Sequence, residues 1–373
     1  MSDSDVWDRL GVDPGEFVPD ALKEGVARQI TVALAAVATL VAFLFAVRLL
    51  GTATATAAPM FEDIFRQVVR GDGGALGLSW LTTYLLANGS VVAALSLTLF
   101  AAGVVTLSEL FLMVAGSRLG AASIVLLVGG LEYLRRRGYS LRTATSLGTL
   151  TFLLTLSIYL PATALGYLTL PWLGPDIAAV ARAVGLSARP LTLFSATTDA
   201  VVGLVGAGPG FVAGLALLYL CLETFDRLLE TVDPSVLRRR FFGRLQRHWL
   251  SFLVGLVVTG LTTSVAFSLG VIVAPYNKGY VKREEIVPYV LGANVGTLVD
   301  TVIVAVVLGT EAGAVAVLAL VGWSILLTGM VLLGFDVYLR GVETVQDLLL
   351  ADRRWFLAFL LALVIGPLLL LFP

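Results

Sequence analysis

Two long stretches of this chain carry no charge, Gly73–Ser108 and Trp249–Asn277, and each is broken in its interior by a polar patch. The patches are Asn88-Gly89-Ser90 in the first and Thr262-Thr263-Ser264 in the second; a third, Leu291-Gly-Ala-Asn-Val-Gly-Thr-Leu-Val-Asp-Thr301, follows. At about 1.5 Å of rise per residue, Gly73–Ser108 is too long for one crossing of a hydrocarbon layer about 30 Å thick. Two short helices meeting at Asn88-Gly89-Ser90, a re-entrant hairpin, account for both its length and its polar middle. Hydroxyls and freed backbone groups left unpaired in lipid cost roughly several kcal/mol each, so such patches persist where they face protein or a watery cavity. The plainer alternative is a helix–helix seam of small residues. Asp300 favours the cavity, because a carboxylate inside an apolar run is a functional hypothesis by default.

The 373 residues are 58% hydrophobic and 14% charged. Soluble domains carry about 25% charged residues, so the pattern predicts an all-α polytopic membrane protein. A net charge of −1 excludes nucleic acid as a partner and leaves the lipid bilayer. The single cysteine, Cys221, allows no intrachain disulfide, and the single histidine, His248, excludes a metal site built on several His or Cys ligands; no cofactor is expected. Residues 1–28 are polar and lack the basic start of a signal peptide, which predicts a cytoplasmic N-terminus on a multi-pass protein of the cell membrane.

Ile30–Val47 is the first predicted span, and Phe61–Val69 forms an amphipathic piece in the connector after it. Leu110–Leu131 is expected to be interrupted at Gly116-Ser-Arg-Leu-Gly120, with Thr143–Leu160 crossing back. The division is a first transmembrane repeat over 29–162, a proline-bearing linker over 163–204, and a second repeat over 205–335. Residues 336–373 supply a connector and an extra C-terminal transmembrane helix. Sliding the chain on itself by about 176 positions aligns Phe65 with Phe241, Thr83 with Thr259 and Glu109 with Glu285. Gly116 and Gly120 fall on Gly292 and Gly296 at the same offset. The charges predict that the two repeats are inverted. Residues 51–75 carry Arg66 and Arg70 against three acids, while 227–247 carry six arginines against Glu230 and Asp233, which places these equivalent loops on opposite sides. Arg135–Arg137, set against the acidic Thr310-Glu311, points the same way.

Leu291-Gly-Ala-Asn-Val-Gly-Thr297 resembles the Gly-Ala/Ser-Asn-Ile-Gly-Thr motif of the type II sodium–phosphate cotransporter family. Leu217–Asp226 is similar to that family's helix entering the second repeat, and Phe252–Ser264 to the approach to its Gln-Ser-Ser-Ser motif. The likeness runs over roughly residues 30 to 335. Where the family has Gln-Ser-Ser-Ser-Ala-Thr twice, this chain has Ala87–Val92 and Thr263–Ser268, and the first Gly-Ala-Asn becomes Gly116-Ser117-Arg118. The resemblance implies two inverted repeats, each with a re-entrant hairpin and an interrupted helix. It also implies import of phosphate or a similar inorganic anion at a midplane site, with sodium as the coupling ion.

Dehydrated phosphate needs hydroxyls and the N–H groups of helix N-termini in place of water. Candidate substrate-binding residues are Asn88, Gly89, Ser90, Ser117, Arg118, Thr263, Ser264 and Asn294; candidate ion-binding residues are Ser268, Thr297, Asp300 and Thr301. Arg118, always charged, is expected to reach the cavity and either touch the anion or pair with Asp300. Asp199 and Asp226 are weaker candidates. Two other readings stand beside the carrier: a transport-inactive homologue serving as sensor or scaffold, and an intramembrane lipid-diphosphate phosphatase. The second requires an acid, His and Arg cluster at a hairpin tip, which neither tip offers.

Overall fold

The computed structural model describes residues 20–135, 141–183, 192–230, 247–277 and 281–372, which are helical with no strand among them. The first part of the chain forms α1 (Asp20–Thr56), α2 (Ala58–Val68), α3 (Gly71–Leu86), α4 (Gly89–Ala101), α5 (Leu107–Arg135) and α6 (Leu141–Ala183). After a 3-10 turn come α7 (Ser195–Val205), α8 (Ala207–Glu230), α9 (His248–Thr262), α10 (Val265–Asn277), α11 (Arg283–Gly296) and α12 (Leu298–Leu308). The chain closes with α13 (Glu311–Leu333), α14 (Phe335–Ala351) and α15 (Arg353–Leu371). Among the described residues, 7 stretches are long and apolar enough to cross a bilayer, making this a multi-pass membrane protein.

The charge-free stretches fold as helix pairs. α3 and α4 are 16 and 13 residues long, and α9 and α10 are 15 and 13. These lengths give about 20–24 Å each, short of a full crossing. Each pair turns at a non-glycine residue in the left-handed region, Ala87 at φ 51° and Thr263 at φ 52°. Those two residues stand 176 positions apart, as do the first residues of α4 and α10 and of α5 and α11.

The same offset governs the packing. A methyl group added at Gly116 would lie 2.5 Å from the Leu76 carbonyl oxygen and 3.3 Å from the Trp80 nitrogen. Gly292 faces the equivalent atoms, overlapping the Phe252 carbonyl oxygen and approaching the Leu256 nitrogen to 2.8 Å. Gly120 abuts Thr83 as Gly296 abuts Thr259. Glycine at these four positions lets α5 lie backbone to backbone on α3, and α11 on α9, as small residues do where lipid gives no hydrophobic drive to association. Glu109 and Glu285, also 176 apart, each accept the backbone N–H three residues earlier, from Thr106 and Lys282. Arg66, on the amphipathic α2, pairs with Glu109, whose hydrogen bond raises the guanidinium pKa further above its ordinary value.

Three sequence expectations change. α5 runs unbroken through Gly116–Gly120, because those glycines are packing contacts with α3 and not helix ends. In the second half the irregularity is a single residue: Thr297 keeps helical angles (φ −64°, ψ −18°) and donates its N–H to Ala293. The expected linker over 163–204 is helical as far as Ala183, with Pro161, Pro171 and Pro175 inside α6. Each proline lacks an N–H, but the surrounding ladder and neighbouring helices keep such a segment helical in a membrane protein; Trp323 on α13, for instance, donates to the Thr169 hydroxyl at 2.9 Å. The basic clusters at 238–244 and 136–137 lie outside the described residues.

The extra C-terminal helix covers α3: Tyr84 donates to the Leu363 carbonyl at 2.9 Å, and Gly77 lets the α15 backbone in close. One large apolar core joins α1 and α3–α6 to α12 and α13, and a second joins α6, α11, α13 and α14. Helix α6 contributes to both and so ties the two apolar clusters together.

Candidate functional site

The turn between α3 and α4 and the turn between α9 and α10 wall one cavity of about 280 Å³. Asn88, Gly89 and Ser90 enter from the first turn, and Thr263 and Ser264 from the second. Arg118 on α5, Asn294 on α11 and Thr297 join them in the polar wall. Arg118 and Asn294, themselves 176 positions apart, both face this one space.

Local chemistry fixes each turn. The Asn88 carboxamide oxygen caps α4, accepting the Ser90 and Val91 N–H groups at 3.0 and 3.1 Å. Ser264 caps α10 through the Phe267 N–H at 3.1 Å. Such caps satisfy part of the helix N-terminus and leave its positive end aimed at the cavity. Among the described residues the Gly89 N–H has no protein acceptor. A Cβ on Gly89 would sit 2.8 Å from the Ser117 carbonyl oxygen, so glycine is what brings the tip against α5.

Arg118 crosses from the first half to the second. Its Nη1 donates to Thr297 Oγ1 at 2.9 Å, and its Nη2 to Asp300 Oδ1 at 3.2 Å and Thr301 Oγ1 at 2.6 Å. The Arg118 and Asp300 side chains are each 5% exposed, and Thr301 also donates to Asp300 Oδ1 at 2.8 Å. A buried pair of this kind is weak support for stability, but the loss of one member leaves an uncompensated charge. Arg118 borders the cavity, with Asp300 and Thr301 behind it, outside the cavity lining.

Two further nominated side chains lie outside both the cavity lining and the Arg118 cluster. Ser117 turns back on its own helix, donating to the Val114 carbonyl at 2.7 Å, so it offers the tip only its backbone. Ser268 accepts from Thr259 at 2.6 Å and meets the Tyr289 hydroxyl at 2.9 Å, a buried cluster away from the cavity. Asp199 is exposed on α7. Asp226, with Phe225, does line the cavity, from α8.

Helix α6 supplies a polar wall that the sequence reading passed over: Thr151, Thr155 and Tyr159. Thr155 accepts the Asn294 side-chain amide at 2.9 Å, and Tyr159 donates to the Asn294 carbonyl at 2.7 Å. Their spacing of four places all three on one helix face, and that regularity was the available signal. His248 stacks on Phe335 with ring centroids 3.9 Å apart and is not part of the wall. No group of three or more His, Cys, Asp or Glu able to hold a metal occurs among the described residues.

Arginine, amide and hydroxyl donors together with two helix N-termini therefore surround a space large enough for a small oxyanion, with Asp226 as the acidic member of its wall. Among known proteins, a stretch of 94 residues is 25% identical to the uncharacterized protein YqeW of Bacillus subtilis (strain 168). It covers 25% of this chain and 31% of that protein, so the match spans about a third of the relative's length. No protein-family model and no solved structure matches the chain.

Proposed function

We propose that this protein is a secondary carrier of the cell membrane that moves a small inorganic oxyanion, phosphate being the best fit, through the cavity between its two hairpin turns. In this reading the halves are inverted repeats, α3–α4 and α9–α10 are re-entrant hairpins, and the site lies near the bilayer midplane. The observation that carries it is the convergence of both turns and Arg118 on one polar cavity. The constant 176-residue offset, the paired left-handed turn residues and the opposite charge of equivalent loops support the two-half arrangement. Phosphate entering such a site would exchange water for the Gly89 N–H, the tip hydroxyls, the side-chain amides and the edge of Arg118. Alternating access would follow from one half rocking against the other about this site, with the Arg118 bridge between α5 and α12 made and remade as they move.

Uptake of labelled phosphate by proteoliposomes tests the reading. Saturable uptake that is competed by arsenate and lost on Arg118→Gln is expected. Phosphate binding without uptake would instead make the protein a sensor or scaffold, and hydrolysis of a lipid diphosphate by the purified protein would make it an enzyme. Which cation accompanies the anion is a separate matter, because three of the four residues nominated for sodium, Thr297, Asp300 and Thr301, already surround Arg118.

A further inference from the structure

Asp300, Thr301 and Thr297 direct a carboxylate oxygen and two hydroxyl oxygens at the Arg118 guanidinium, the first two at Nη2 and the third at Nη1, a set of hard oxygen donors of the kind that holds sodium in carriers. The guanidinium occupies the space these oxygens face, each lying 2.6 to 3.2 Å from one of its two terminal nitrogens. We propose that Arg118 is a tethered counter-cation: it fills the place of a mobile monovalent cation, and the protein is indifferent to sodium at this cluster. Three features favour a fixed role over an incidental contact. Both charged side chains are 5% exposed, so each charge relies chiefly on the other for compensation. The guanidinium comes from α5 in the first half while all three oxygens come from the Thr297–Thr301 turn of the second, so the cation position bridges the halves. The equivalent position of the second half is Asn294, a neutral residue that binds Thr155 and Tyr159, so the charge belongs to one half and is not a general feature of this helix pair.

The geometry also says what removing the tether does. Arg118→Ala leaves Asp300 as a buried carboxylate beside two hydroxyls and opens guanidinium-sized space next to the cavity. A small cation then gains a site that it lacks in the wild-type protein, and a ligand that binds the folded state alone raises stability by mass action.

The inference rests on the Arg118 geometry and not on the carrier reading, and its test reads unfolding and not transport. Full-length protein in detergent is melted in sodium chloride and in choline chloride at equal ionic strength. The wild-type midpoint is expected to be the same in both. Arg118→Ala is expected to melt lower in choline, to recover in a saturable manner with added sodium or guanidinium, and to lose that recovery when combined with Asp300→Asn. A wild-type midpoint that rises with sodium and stops rising in Asp300→Asn overturns the proposal, as does an Arg118→Ala protein that responds to neither cation. If Arg118→Ala does not fold, wild type and Arg118→Lys still decide. Both keep a cation among the same oxygens and are expected to ignore sodium, and a response in either that Asp300→Asn abolishes overturns the proposal. Sodium indifference in a protein that takes up no phosphate would count against the carrier reading alone.

Discussion

The glycine seams offer the most direct check that the two halves are built alike. At Gly292 an added methyl would sit 2.8 Å from the Leu256 nitrogen and closer still to the Phe252 carbonyl oxygen, where 3.4 Å is the near limit of ordinary contact. Both neighbours are backbone atoms of α9, so no side chain can swing aside and the helices must part by more than half an ångström. Overpacking of this sort costs about 1–3 kcal/mol, occasionally more, and the rigidity of the obstacle puts Gly292→Ala at the upper end. Gly116→Ala meets the equivalent atoms of α3, with its nearest nitrogen at 3.3 Å, and is expected to cost somewhat less. The control is Gly341→Ala on α14, exposed and with open space around the new methyl; there alanine is expected to stabilise the helix by about 0.5–1 kcal/mol. Thermal unfolding of the purified variants in detergent, followed by circular dichroism, ranks them. The expected order of midpoints is Gly341→Ala above wild type, then Gly116→Ala, then Gly292→Ala. A Gly292→Ala protein that melts with wild type would refute the claim that α9 and α11 meet backbone to backbone, and with it the structural equivalence of the halves.

Other substitutions separate stability from binding. Arg118→Met and Asp300→Asn should each destabilise the fold, by about 3–5 kcal/mol for a fully buried pair, while the double variant costs clearly less than the two together; additive losses in denaturant unfolding would dismiss the pair. Asn88→Asp keeps the oxygen that caps α4 and adds a charge the helix N-terminus favours, so stability should hold or rise by about 0.3–1 kcal/mol. The same charge repels an anion in the cavity, so phosphate affinity should fall at least about tenfold, a difference of ~1.4 kcal/mol, and unchanged affinity would move the site away from this tip. Tyr159→Phe removes the hydroxyl bound to the Asn294 carbonyl and should cost about 0.5–1.5 kcal/mol, read in the same unfolding assay.

The breaks in the two charge-free stretches were legible in the sequence because hydrophobic runs leave hydroxyl and amide groups few places to go. Asn88-Gly89-Ser90 and Thr263-Ser264 fall at the turns for that reason. Arg118 and Asp300 were legible for a related one: a lone cation and a lone carboxylate inside apolar segments have strong cause to find each other. Glycine was the harder residue. In Gly116-Ser117-Arg118 it reads equally as a helix break or as a packing notch, and the identity of the facing helix, unknown from local sequence, decides in favour of the notch. Proline misled in the same way over Pro161, Pro171 and Pro175, where tertiary packing holds α6 helical against local propensity. Thr151, Thr155 and Tyr159 went unnoticed because a polar stripe along an apolar helix is also the pattern of an ordinary helix seam. Ser117 stands next to Arg118, but a one-residue step around a helix turns the side chain by about 100° and sends it elsewhere; Ser268 is held instead by Thr259 and Tyr289.

The central claim, that turns from both halves wall one anion pocket, can be tested with a pair of engineered thiols. Cys221, the protein's one cysteine, is replaced by serine, and Ser90→Cys and Ser264→Cys are introduced together. A short bifunctional thiol reagent should then link the two positions within a single chain, and phosphate should slow the reaction. Cysteines that label separately and never cross-link, or that cross-link at a rate phosphate leaves unchanged, would contradict the account.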